Sequence, residues 1–221
     1  MAVPGIIMRF AQPRPGRDEV PESSLAPPAP APNVEAFYMF EEQDGLQPKY
    51  NTTYFLSDIT PVLNDPEFYN DDVKAHSEQF ASIAWEVCGF LNGRDTSEAK
   101  ELSSEPHILP KPPAIGSTLV SNGGTPGPGW EQDYVDWYTT EHSAKLSLVP
   151  GWNNCRRYRH DRTYGEVDVA TYYGWNYYDA ENGLGGPVWQ DSLTGWTIEV
   201  RKRAAKPNLR RVWKVVKTNH P

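Results

Sequence analysis

Residues 133–159 read DYVDWYTTEHSAKLSLVPGWNNCRRYR, and the organisation of the whole chain follows from how this stretch folds. Pro128 and Gly129 before it, and Pro150 and Gly151 within it, bound a segment whose apolar residues recur at helical spacing. One stripe holds Val135, Tyr138, His142, Leu146 and Val149; an adjoining stripe holds Trp130, Tyr134, Trp137, Glu141, Ala144 and Leu148. The spacing predicts a helix with His142 on or beside its buried face, Tyr138 one turn earlier and Glu141 at the edge. An unperturbed imidazole titrates at about pH 6.5, so one flanked by a phenol and a carboxylate suits proton transfer. The same placement suits a core histidine that holds a strand carbonyl.

Working outward, GSTLVSNGG (116–124) reads as a strand before this helix, and Cys155–Asp161 and Val167–Trp175 as two strands after it, joined by the turn RTYGE. GPVWQDSLTGW (186–196) is a short helix, followed by two β-like runs, TIEVRKR (197–203) and LRRVWKVVK (209–217). The order β-α-β-β-α-β is the ferredoxin-like unit. The first half offers the same unit with its first helix replaced. A strand at Ile6–Phe10 precedes a proline-rich excursion, 13–33, that holds seven of the 21 prolines. EAFYMFEE (35–42) and TTYFLSD (52–58) are strands, Pro61 opens a short turn, and a longer helix follows Pro66. Ser82–Leu91 is then a strand with Ile83, Trp85 and Val87 inward and Glu86 outward. The expected fold is α+β, with a degenerate unit over 1–91, a polar linker over 92–116 and a complete unit over 117–221.

The segment carrying Trp137, Tyr138, Glu141, His142, Pro150, Gly151, Trp152, Arg156, Arg157 and Tyr158 resembles the W-Y-x-x-E-H…P-G-(W/F)…R-R-(Y/F) signature of EthD-like proteins of the dimeric α+β-barrel superfamily. The resemblance spans residues 117–216; the first half matches in element order and lacks the motif. It implies four-stranded antiparallel sheets closing as a barrel with helices outside. Two chains supply the sheets in most such proteins, whereas a tandem repeat closes the barrel within one chain. A monomer with an internal pseudo-dimer, or a homodimer, is expected. The chemistry of the superfamily is varied, from cyclases and decarboxylases to cofactor-free monooxygenases and haem binders.

Composition narrows the function. Lys and Arg number 21 against 29 Asp and Glu, a net charge of −8, which argues against nucleic acid or an anionic membrane as partner. No apolar run nears the roughly 18 residues of a membrane span, and no leader pattern opens the chain, so a cytoplasmic protein is expected. Two cysteines, Cys88 and Cys155, are too few for a structural zinc site. Eight of the 12 tyrosines lie between Tyr134 and Tyr178, a stock of rings and hydroxyls suited to a flat hydrophobic ligand.

The expected function is a cofactor-independent enzyme acting on a polyketide- or terpenoid-like intermediate by cyclisation, rearrangement or decarboxylation. His142 shuttles a proton, Glu141 or Tyr138 orients it, and Arg157 or Arg156 stabilises oxyanion charge. Tyr134, Trp137, Trp152, Tyr158, Tyr172 and Trp175, with Arg156, would hold the substrate. No metal or organic cofactor is expected; a haem-binding variant would draw its axial nitrogen from His142, His76 or His160. The competing reading is a non-catalytic barrel that binds a hydrophobic molecule. The cluster RKRAAKPNLRR (201–211) reads as solvated surface, and His76 as a remote counterpart of His142.

Overall fold

Eight runs rich in β-branched and aromatic residues become eight strands, and their hydrogen bonds close into one barrel. The computed structural model describes residues 2–17, 19–27, 31 and 33–220. In chain order the strands are β1 (Gly5–Pro13), β2 (Val34–Glu42), β3 (Tyr50–Leu56), β4 (Phe80–Arg94), β5 (Thr118–Gly124), β6 (Trp152–Tyr164), β7 (Tyr172–Tyr178) and β8 (Leu209–Asn219). Around the barrel they run β1-β3-β2-β8-β5-β7-β6-β4, every pair antiparallel. Each half therefore has the ferredoxin-like order 4-1-3-2, and the halves join at two equivalent seams, β2 with β8 and β4 with β6. A single chain thus builds the dimeric α+β-barrel fold, helices outside, as the resemblance implies.

Strand alternation gives the barrel two apolar faces. Ile6, Met8, Tyr38, Phe40, Trp175 and Trp213 point into the barrel. Ile7, Tyr54, Trp85 and Val87 point outward, where Phe68 and Val73 of α2 (Glu67–His76) cover them. A carboxylate staples this layer: Asp72 accepts from Arg9 at 2.7 and 2.9 Å and from the Trp85 indole at 2.8 Å, and holds His76 Nδ1 at 2.8 Å. His76 is thereby tied into a satisfied ion-pair network.

The second half is covered by α3 (Glu131–Trp137), a π-turn (Tyr138–His142) and α4 (Ser143–Leu146) in one continuous path, with α5 (Pro187–Gln190) and α6 (Gly195–Lys202) beside it. The π-turn merges the two expected stripes. It bonds the Ser143 N–H to the Tyr138 carbonyl, adding a residue to one turn, so Tyr134, Trp137, Tyr138, His142 and Leu146 are all buried.

Four expectations change. The run expected as a strand at 197–203 falls in and just after α6, because the Thr194 hydroxyl accepts from the Thr197 N–H at 3.1 Å and caps a helix there. The strand expected at Val167 begins at Tyr172. Glu86 faces inward: β4 is buried on both sides, with Ile83, Trp85 and Val87 beneath α2 and Glu86 lining the barrel. The polar segment after β4 is not a free tether; Gly93 pairs with Ser103, and Leu109, 1 % exposed, packs into the barrel core. Within the proline-rich excursion, Glu22–Leu25 form a short helix, α1, and residues 18, 28–30 and 32 lie outside the described residues.

Candidate active site

The barrel interior holds a cavity of about 490 Å³ that opens at one end. Its walls are aromatic and apolar, from Met8, Phe10, Trp175 and Trp213, and into them project a few polar groups. Glu86 is the one carboxylate deep in it, 1 % exposed, with Oε2 free of any hydrogen-bond partner. Burial raises this carboxyl from the usual carboxylate range to about 8, the Tyr173 hydroxyl beside it pulling the other way. Asn51 Oδ1 accepts from the Thr53 hydroxyl at 2.9 Å and its Nδ2 is unpaired; Trp175 Nε1 is unpaired as well. Two donors and one carboxyl oxygen, Glu86 Oε2, are therefore buried without hydrogen-bond partners on residues that line one cavity, at a cost of roughly 1–3 kcal/mol each.

The residues expected from the sequence fall into three places. Tyr158 and Trp175 lie inside the barrel, their rings 5.7 Å apart. Arg156 shares their side of β6 and reaches the capping segment, bonding Asp95 at 2.7 Å and the Ile108 carbonyl at 2.7 Å. Tyr134, Trp137, Tyr138, Glu141, His142, Arg157 and Tyr172 gather instead on the outer face of the sheet, under α3 and α6. Trp152 lies on the outer face as well, packed with Val149, Tyr178 and Trp189 and donating to Asn176 at 3.1 Å.

In the outer group the aromatics hold one another. His142 stacks on Trp137 at 4.3 Å, the Tyr138 ring lies beneath the Arg157 guanidinium at 4.3 Å, and Tyr134 stacks on Tyr172 at 5.4 Å. Gly174 makes this approach feasible, since a Cβ there would sit 2.5 Å from the Tyr138 hydroxyl. Asn176 donates to that hydroxyl at 3.2 Å. Glu141 accepts from the Thr194 hydroxyl at 2.5 Å, at the cap of α6. His142, 7 % exposed, lines a pocket of about 90 Å³ with Nδ1 unpaired. Burial lowers its pKa to about 3, Arg201 and Arg157 adding to the effect and a hydrogen bond to the Ser192 backbone opposing it. The imidazole is neutral at physiological pH.

Among the described residues no three His, Cys, Asp or Glu side chains gather as a metal-ligand set. Of the three histidines considered for haem, His76 Nδ1 is held by Asp72, His160 lies 2.6 Å from Thr163, and the pocket beside His142 is far smaller than a porphyrin.

Glu86, Asn51 and the inward face of Trp175 were not legible as a group. One signal was available for Glu86. SIAWEVCGFL is apolar at both parities, the mark of a strand buried on both faces, so its single carboxylate had to be buried too.

The fold defines the class: a dimeric α+β barrel, duplicated within one chain, with a cavity in its interior. An anthrone oxidase-like protein is similar to it over 99% of this chain and 93% of its own, with a TM-score of 0.65 at 16% identity. A candidate monooxygenase from Fusobacterium nucleatum subsp. nucleatum is similar over 99% of this chain and 95% of its own, with a TM-score of 0.63 at 9% identity. A further candidate monooxygenase, from Lactobacillus acidophilus, gives 0.56 at 6% identity, over 99% of this chain and 96% of its own. These likenesses establish the fold. No protein-family model matches the chain, and no curated protein matches it. Among the described residues no helix is long and apolar enough to cross a membrane.

Proposed function

We propose that the barrel interior is the active site of an enzyme that deprotonates a flat aromatic ketone or phenol of the polyketide type. The observation that carries this reading is Glu86: a buried carboxyl inside an aromatic cavity, its Oε2 without a hydrogen-bond partner and its pKa raised to about 8. As general base it takes a proton from carbon or oxygen beside the carbonyl. Asn51 Nδ2 and Trp175 Nε1 are the donors for the oxyanion that forms. The cavity walls keep the substrate planar and exclude water. Aldol-type cyclisation and isomerisation start from such an enolate, and so does reaction with dioxygen, which the names of the structural neighbours favour; decarboxylation would reach an enolate by loss of carbon dioxide, held by the same donors. The acid–base step needs only the chain's own side chains.

The His142 pocket is a second candidate centre, favoured by its unpaired Nδ1. Anthrone is a suitable probe substrate, followed by its loss and by oxygen uptake. The expected result is a kcat/KM that rises with pH and levels above about 8, because the ionised carboxylate is the active form. Glu86→Gln should lower turnover by about 10²–10⁴-fold while the fold is retained. Loss of at least about 10²-fold in His142→Ala, with Glu86→Gln active, would move the centre to the outer pocket. A ligand bound and returned unchanged by the wild type would make the barrel a carrier.

A further inference from the structure

The segment RKRAAKPNLRR (201–211) is divided by the structure into two kinds of cation. Lys202 and Arg203 pair with Glu199, Arg203 also with Asp133, and Arg211 with Asp44. Arg201, Lys206 and Arg210 are exposed, and among the described residues none has a carboxylate partner. In a chain of net charge −8 such a group of free cations stands out.

Their placement gives them a direction. Arg201 and Arg210, with Leu184 and Trp189, line an open groove of about 590 Å³. Arg210 and Asn208 belong both to this groove and to the mouth of the barrel cavity. Lys206 stands beside Arg201 and Asn208 at the neighbouring outer pocket. The basic groove, walled by Leu184 and Trp189, thus meets the mouth of the barrel cavity at Asn208 and Arg210. The mouth also has an acidic side, Glu166 and Asp168 from the loop between β6 and β7. Asp44 at the same end is neutralised by Arg211. The entrance therefore carries both signs, and Lys206 reaches the Val169 carbonyl at 3.5 Å, next to Asp168.

We infer that the molecule entering the barrel is an aromatic carboxylic acid, its rings among Trp175 and Trp213 and its carboxylate outside, held by Arg210 and Arg201 with Lys206 nearby. This rests on the barrel being the ligand site and adds the substrate class. Each exposed ion pair contributes little, but cations converging on one rim orient an anion and raise its rate of entry.

Anthraquinone-2-carboxylate and its neutral counterpart, 2-(hydroxymethyl)anthraquinone, test this through quenching of tryptophan fluorescence. The carboxylate should bind about tenfold more tightly at low salt, and sodium chloride should erase the difference. The triple variant Arg201→Gln/Lys206→Gln/Arg210→Gln, all at exposed positions, should bind both alike with an unchanged melting temperature. Equal affinity in the wild type at low salt overturns the inference and leaves the barrel site standing. Failure of both ligands to quench overturns the barrel reading and this inference with it.

Discussion

At the scale of single residues, Glu86 has opposite consequences for chemistry and for stability. Its carboxyl holds a proton up to about pH 8 in the folded chain, against an ordinary value of 4.5. Between those values the unfolded chain has released its proton and the folded chain has not, so stability falls as pH rises through that window and is flat above it. Glu86→Gln removes the dependence. It should match the wild type near pH 4 and exceed it at pH 8 by on the order of 4 kcal/mol in urea titrations. Equal stabilities at pH 8 would show that the carboxyl ionises freely, and the proposed base would lose its tuning. His142 has the reverse sign: depressed in the fold, it withdraws stability as pH falls below its ordinary value. The sequence made His142 conspicuous through its motif, while Glu86 looked like the outward residue of an ordinary strand. The difference lies in what covers β4, which no local pattern states.

At the scale of elements, the strands and the helix after Pro66 follow from alternation and from proline punctuation, and they form within a few residues of where they are expected. Two elements depart for local reasons. α6 alternates Ile198 and Val200 like a strand, but the Thr194 cap decides for helix. The π-turn at Tyr138–His142 arises where Tyr138 settles over Gly174 and beneath Arg157, contacts that come from other strands. The segment before β5 is polar and rich in proline, yet Leu109 closes the barrel core from it. Leu109→Ala should cost about 2–5 kcal/mol, measured by denaturant unfolding. A cost well below about 1 kcal/mol would return 92–116 to the status of a tether.

At the scale of the molecule, each half leaves two strand edges open, β2 and β4 in one, β6 and β8 in the other, and these pair only with each other. Open edges are unsatisfied hydrogen-bonding rows, so the halves should unfold together. Calorimetry should show one transition, retained after proteolytic cutting between residues 95 and 102; two resolved transitions would mean that the halves are independent. The sequence by itself determined the duplicated β-α-β-β-α-β order, the aromatic stock and the helix that bears the motif, because these depend on periodicity and on residues near in the chain. Only the tertiary structure decided which faces are interior. Closing the barrel buries the inward side of the strands, turning Glu86 and Trp175 into the cavity and Tyr138 and His142 away from it. It also sets Arg201 and Arg210 beside the mouth, a juxtaposition made by strand pairing rather than by spacing in the sequence.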